Sequence, residues 1–214
     1  MKRHLKRQVA PKNWPIPRKG TTFIVKNNSK GIPILVVLRD MMKIAQNRKE
    51  VKKAIHKRDL VVLGKPINDE KKSMELYDVL TIVPTKKNYR LVLSEKGKFA
   101  IEEIDEKESK EKIAKVIGKK TLKGKKNQIN LSDGRNYIAQ VKCKVGDSVL
   151  VDIEKKKISK VLPIKEKSEV LVTWGKHAGT KGTIAKIDEK QQMVEIHSKE
   201  KKFRALIKQI MVLN

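Results

Sequence analysis

The sequence predicts an α+β multidomain protein. Its parts are a basic N-terminal extension (1–31), a small α+β module (32–86), a central small β domain (87–164) and a C-terminal small β-barrel (165–214). Three observations lead there. The opening segment carries cations and prolines but no carboxylate, so it has little to bury against itself. The next stretch has helix-period apolar spacing followed by short strand-like runs. Beyond it, short β runs recur at regular spacing with turn residues between them, as in a small barrel or sandwich.

Along the chain, acid first appears at Asp40, after ten basic side chains in thirty-nine residues that span the extension and the start of the next module. Pro11, Pro15 and Pro17 interrupt any helix there, since each lacks an amide donor and restricts the residue before it. Alone, such an arm is expected to be disordered and to fold onto a polyanion. Trp14 stands among these prolines and cations. It can serve as a packing anchor for the arm, as a surface for stacking on an unpaired base, or as both.

From Ile32 the pattern changes. Pro33 suits an early helical position, and Ile34, Leu35, Leu38, Met41, Met42 and Ala45 recur at helical spacing. A second amphipathic stretch runs from Arg48 to Lys57, with Val51, Ala54 and Ile55 on one face and Lys49, Lys52, Lys53 and Lys57 opposite. A short β run from Asp59 is closed by Gly64 and Pro66, and Tyr77 to Val83 reads as a second strand.

In the central domain, Tyr89 to Ser94 and Phe99 to Ile104 flank Glu95-Lys-Gly-Lys98, a natural hairpin turn. Asp105 to Ile117 is expected to form one charged helix, supported by Glu108 and Lys112 at i,i+4. Strands fit Lys126 to Leu131 and Asn136 to Lys142 around an Asp133-Gly134 turn. A further hairpin fits Asp147 to Ile153 with Lys157 to Leu162. The last module follows Pro163, with strands at Val170 to Trp174, Thr183 to Ile187 and Met193 to His197, and Phe203 to Leu213 closing the barrel. Between them, Gly175 to Gly182 is a glycine-rich loop. Its glycines can take positive φ and let backbone approach a phosphate or base closely, or they serve an ordinary strand connection.

Lysine and arginine number 52 against 24 acidic residues, giving a net charge of +28 and a pI near 10.1. Nucleic acid is the partner such charge favours, because each neutralised phosphate releases condensed counterions. No stretch reaches the ~18 consecutive apolar residues of a membrane span, and the first residues lack a signal-peptide core, so no membrane partner is expected. Hydrophobic residues make up 38% and aromatics 4%, which suits several small cores better than one large one. The single cysteine, Cys143, excludes an intramolecular disulfide and fits a reducing cytoplasm, as a small buried hydrophobe.

Catalytic constellations are not evident. His4, His56, His177 and His197 are scattered, without zinc-ligand spacing. The glycine loop lacks the Gly-Lys-Ser/Thr end of a nucleotide-binding loop, and neither Gly-x-Ser-x-Gly nor His-Glu-x-x-His occurs. The expectation is a non-enzyme without metal or cofactor.

Several segments resemble one family. His4-Leu-Lys-Arg7, Ala10-Pro-Lys12 and Trp14 are similar to the start of the archaeal and eukaryotic (e-type) small-subunit ribosomal protein four. Leu38-Arg-Asp40, Glu50-Val-Lys-Lys53 and Leu63-Gly-Lys65 resemble the RNA-binding domain that this family shares with bacterial ribosomal protein four, aminoacyl-tRNA synthetases and pseudouridine synthases. Lys96-Gly-Lys-Phe-Ala100 matches the family's central hairpin. Thr173 to Ile184, with Gly179 and Gly182, resembles a KOW motif, a loop of small β-barrels that binds RNA and protein.

The resemblance implies a structural constituent of the small ribosomal subunit, docked on its ribosomal RNA beside neighbouring small-subunit proteins, with no homo-oligomer expected. The chain stops at Asn214, soon after the barrel, which makes an archaeal-like or reduced member the expectation.

The candidate RNA contacts follow. In the arm they are Lys2, Arg3, His4, Lys6, Arg7, Lys12, Trp14, Arg18 and Lys19. In the helical module they are Arg39, Lys43, Arg48, Lys49, Lys52, Lys53, Lys57, Arg58 and Lys65. In the glycine loop they are Lys176, His177 and Lys181. The rival reading is a KOW-containing transcription or RNA-processing factor, which would be found away from mature subunits.

Overall fold

A computed structural model describes residues 4–124, 126–188, 190–198 and 201–214. It is β-rich, with several sheets and few helices among the described residues. The chain folds as two units. The first comprises the residues up to Val92 together with Lys98–Ser109; the second comprises Leu93–Gly97 and Lys110–Asn214.

In the first unit, β1 (Leu5–Lys6) pairs antiparallel with β2 (Phe23–Ile24). The arm is therefore a loop closed on itself rather than a free tail. Trp14 is only 2% exposed, and its indole N–H donates to the Gly31 carbonyl at 3.1 Å. The ring is thus a packing anchor for the arm. Gly31 has φ +99°, and a Cβ there would lie 2.0 Å from the Met74 carbonyl oxygen, so the arm can join the module at this point only through glycine.

The apolar run of the module forms β3 (Ile32–Pro33), then α1 (Ile34–Val36), which widens into a π turn over Val37–Met41. Pro33 precedes the helix in extended conformation, since a residue without an N–H costs least just outside a helix start. β3 pairs with β6 (Ser73–Met74). α2 (Arg48–His56) is capped by the Asn47 side chain, which accepts from the Glu50 amide, while the Glu50 carboxylate accepts from the Gln46 amide. The first bond satisfies a donor that the helix start leaves open, and the second fixes the entry of the chain just before the cap. Val51 and Ile55 face the core.

A five-stranded sheet completes the unit. It contains β4 (Leu60–Val62), β5 (Lys65–Pro66), β7 (Val79–Ile82), β8 (Lys87–Leu93) and β9 (Phe99–Ile104), in the order β5-β4-β7-β8-β9. The strands expected to open a central domain thus hydrogen-bond into the sheet of the preceding module, so the expected boundary at 86/87 falls inside one sheet. The cause is the short link after β7, which turns the chain straight back along its neighbour.

The predicted helix from Asp105 to Ile117 is corrected by the structure. Only α3 (Glu106–Ser109) is helical, and β10 (Glu111–Thr121) follows. Lys112, Ala114 and Val116 are all buried, a period of two rather than 3.6. The alternation was hidden because its first inward residue is a lysine.

β10 splits its pairing. Glu111–Lys115 pair with β13 (Ser148–Asp152), and its later residues pair with β11 (Asn127–Leu131) past a bulge at Val116/Gly118. With β12 (Asn136–Ile138) and β14 (Lys157–Leu162), the sheet order is β12-β11-β10-β13-β14. The half-buried Cys143 packs against this sheet's core, and burial raises its thiol pKa.

A second sheet contains β15 (Glu169–Val172), β16 (Lys181–Asp188), β17 (Met193–His197), β18 (Lys202–Leu206) and β19 (Ile210–Val212). Its order is β18-β17-β16-β15-β19, over a core that includes Val170, Val172, Ile184, Val194 and Ile196. Polar staples tie the two sheets together. The Lys115 ammonium donates to the carbonyls of Ile207 and Ile210, and the Val212 amide donates to the buried Ser148 hydroxyl at 2.8 Å.

Candidate nucleic-acid interface

Lys2 and Arg3 lie outside the described residues. In the rest of the arm, Lys6, Lys12, Arg18 and Lys19 are exposed. His4 sets its ring edge-on against Phe23, with centroids 4.7 Å apart. Arg7 is engaged internally. Its guanidinium donates to the carbonyls of Thr21 (2.7 Å) and Pro17 (2.8 Å) and to the Thr21 hydroxyl (2.9 Å). It clamps the loop between β1 and β2 and has few donors left for a phosphate.

In the helical module, Lys49, Lys52, Lys53 and Lys57 are all exposed. Their i,i+3 and i,i+4 spacing on α2 forms one ridge of cations above the apolar face. His56 is exposed on the same side. Lys43 and Arg58 are exposed too, each at a positive φ (55° and 60°), and Lys65 is exposed at the start of β5.

Two arginines of this module have partners already. Arg39 pairs with Asp40 at 2.8 Å. The Arg48 guanidinium aims both Nε and Nη2 at one oxygen, Oε1, of the Glu70 carboxylate, whose side chain is 2% exposed. Hydrogen bonding to Glu70 raises the Arg48 pKa against the opposing effect of desolvation. Arg48 therefore neutralises a buried carboxylate, a role invisible in sequence because the two residues are twenty-two positions apart.

A groove of about 640 Å³ in this unit is lined by Met41, Met42, Ile44 and Phe99, with the carboxylates of Asp40 and Glu103. Such a lining does not suit phosphate.

In the second unit, Lys176 and Lys181 are exposed on the glycine-rich loop. His177 stacks on Phe203 at 4.2 Å with an interplanar angle of 18°, so its ring serves the fold. The glycines do likewise. A Cβ on Gly179 would lie 1.9 Å from the Ser94 carbonyl oxygen, and one on Gly182 would lie 2.7 Å from the His197 carbonyl oxygen. Both glycines are required by close packing of the chain on itself rather than by approach of a ligand. Trp174, read from sequence only as the end of a strand, lies just past β15 and is 58% exposed.

Among the described residues, no cluster of His, Cys, Asp or Glu is arranged to hold a metal ion, and no helix is long and apolar enough to cross a membrane. What the surface offers chemically is fixed positive charge on each unit.

Comparison with known proteins places these surfaces in context. Residues 85–158 match the family model described as Ribosomal family S4e, and residues 1–29 match the RS4NT domain. The small ribosomal subunit protein eS4 of Methanosphaera stadtmanae is 35% identical, over 99% of this chain and 92% of the relative. The protein of the same name from Nanoarchaeum equitans is 34% identical, over 87% of this chain and 83% of the relative. Among solved structures, the crystal structure of the 30S ribosomal protein S4e from Thermoplasma acidophilum superposes with a TM-score of 0.74. It is 25% identical in sequence and covers 87% of this chain and 96% of that one.

Proposed function

The chain belongs to the small ribosomal subunit protein eS4 family, and on that premise we propose that it is a structural constituent of the small subunit that organises ribosomal RNA through fixed cations. The observation that carries the contact assignment is the ridge of exposed lysines on α2, held outward by burial of Val51 and Ile55 on the opposite face. A rigid helix presenting charge at one-turn spacing suits phosphates of a structured RNA. Backbone and shape recognition dominate there, because an A-form major groove is too deep and narrow for side chains to read.

The reading has further parts. Lys6, Lys12, Arg18 and Lys19 contact phosphates along the arm, with Lys2 and Arg3 preceding them. Lys43, Arg58 and Lys65 extend the contacts of the helical module, and Lys176 and Lys181 those of the last module. Arg7, Arg39, Arg48, His177 and Trp14 support these surfaces through the internal partners described above. The last sheet acts as a KOW-type small barrel. The partners are small-subunit ribosomal RNA and neighbouring ribosomal proteins, the place is the ribosome, and the work is positional rather than catalytic.

The test is sedimentation of cell extract on a sucrose gradient at low magnesium, with blotting for this protein after a moderate-salt wash. Near-stoichiometric recovery with the small subunit is expected. Recovery at the top of the gradient, or with RNA polymerase, overturns the reading in favour of a transcription or processing factor.

A further inference from the structure

We propose that the indole of Trp174 is a stacking platform for an unpaired RNA base, with Lys176 and Lys208 beside it to take the adjoining phosphates. The proposal rests on the reading that this protein holds RNA. It starts from a contrast between the two tryptophans. Trp14 is buried and its N–H is satisfied by the Gly31 carbonyl. Trp174 is more than half exposed, although burying an indole is among the larger stabilising contributions a side chain can make.

The mount of Trp174 is firm. The amide and the hydroxyl of Thr173 both donate to the Gln209 carbonyl, at 2.7 and 2.9 Å. The Gln209 side-chain oxygen accepts from the Leu206 amide at 3.3 Å. On the other side, Gly175 has φ +101°, and a Cβ there would fall 2.9 Å from the Gln209 side-chain nitrogen. The Ile207–Gln209 turn is itself held by Lys115, which donates to the Ile207 and Ile210 carbonyls. An aromatic on such a base needs little ordering when it binds, which favours affinity.

The surroundings select the partner. The pairing of Val172 with Ile210, followed by the Thr173–Gln209 hydrogen bonds, brings Trp174 beside the Lys208–Gln209 turn. Lys176 follows two residues on, and both lysines are exposed. The loop at 93–97, which approaches Gly179, adds Lys96 and one carboxylate, Glu95. A flat π face among phosphate-seeking cations suits single-stranded RNA, where every base offers a face and the backbone lies close by. A duplex keeps its base faces stacked, so the unpaired strand is the ligand.

The test uses the full chain and two probes: a short fluorescein-labelled oligoadenylate, and an RNA duplex with the same number of phosphates. Affinities are measured by anisotropy for the parent, Trp174→Ala and Trp174→Phe, with circular dichroism and thermal denaturation of the full chain reporting that each variant is folded. Trp174→Ala should lose roughly 5- to 150-fold in oligoadenylate affinity. Its salt dependence should be unchanged, because no phosphate contact has gone, and Trp174→Phe should retain most of the binding. Duplex affinity should match the parent in both variants.

Unchanged oligoadenylate affinity in Trp174→Ala, with the parent binding both RNAs, overturns the platform and leaves the RNA reading standing. If that variant is also poorly recovered on small subunits, the indole packs on a neighbouring protein instead. A parent that binds neither probe overturns the RNA reading itself, and this inference with it.

Discussion

The ammonium of Lys112 lies 2.8 Å from a carboxylate oxygen of Asp133, and their side chains are 3% and 7% exposed. The pair joins the first inward position of β10 to the turn between β11 and β12. Burial pushes the Asp133 pKa up, but the charge and hydrogen bond of Lys112, with the Arg135 amide, outweigh it and hold the carboxyl below its usual value. Asp133→Ala strands a buried ammonium and should cost about 3–5 kcal/mol in urea denaturation. Lys112→Met combined with Asp133→Asn keeps an acceptor for the Arg135 amide and removes both charges, so it should recover most of that loss.

The same pair sets an acid limit. A carboxyl whose folded pKa is depressed contributes stability above its unfolded value, near 3.8, and that stability disappears as pH falls through the lower folded value. The parent should therefore lose stability below about pH 4 more steeply than the double variant does. Equal slopes in acid titrations of the two proteins would count against the assignment.

Lys112 also shows where sequence reading reached its limit. α2 was legible because its apolar and basic residues keep a 3.6-residue period and Asn47 caps it locally. β10 was not, because a lysine at an inward position breaks the visible alternation, and its partner Asp133 is twenty-one residues away. The candidate cations divide in the same way. The exposed lysines of α2 were readable from one helix turn, whereas the internal engagement of Arg7, Arg48 and His177 depends on residues distant in the chain. The closed arm was missed for the same reason. Its order comes from Trp14 reaching Gly31 and from the Arg7 clamp, neither of which leaves a local signal.

Lys115 gives a pH response of opposite sign. Desolvation lowers its pKa to about 8, against an ordinary value of 10.5. Below pH 8 both folded and unfolded chains carry the charge. Between about 8 and 10.5 the folded chain releases its proton first, so the unfolded state binds more protons and stability rises with pH. A neutral amine still has two N–H donors for the Ile207 and Ile210 carbonyls, so neither bond is lost. The gain should be on the order of 1–2 kcal/mol after allowing for partial exposure. Measuring denaturation midpoints across this window for the parent and Lys115→Met isolates it from the general relief of positive charge. Parallel curves would rule it out.

Gly179 should tolerate substitution far less well than Gly134. Both have positive φ, but a Cβ on Gly134 meets nothing within 4 Å, whereas one on Gly179 collides with the Ser94 carbonyl oxygen. Gly134→Ala should cost about 1 kcal/mol, from backbone conformation alone. Gly179→Ala adds overpacking against a backbone atom and should cost about 2–4 kcal/mol. Thermal denaturation of the two variants gives the comparison, and equal losses would show that the loop shifts freely.

The last prediction separates cations that face RNA from those that hold the fold. Replacing Lys49, Lys53 and Lys57 together with alanine removes charge from one ridge of α2 without touching Val51 or Ile55. Stability should change by under about 0.5 kcal/mol per site, while the slope of log affinity for ribosomal RNA against log salt becomes shallower by roughly one for each lost contact. Arg48→Met should do the reverse. It leaves the buried Glu70 carboxylate without its cation, costing about 1–3 kcal/mol of stability, and leaves the salt slope as in the parent. Lysine at this position should rescue only part of the loss, because its ammonium lacks the rigid planar pair of N–H donors that the guanidinium directs at Oε1. Salt titrations and urea denaturation on the same protein samples test both halves. A shallower slope in Arg48→Met would move that arginine to the RNA face.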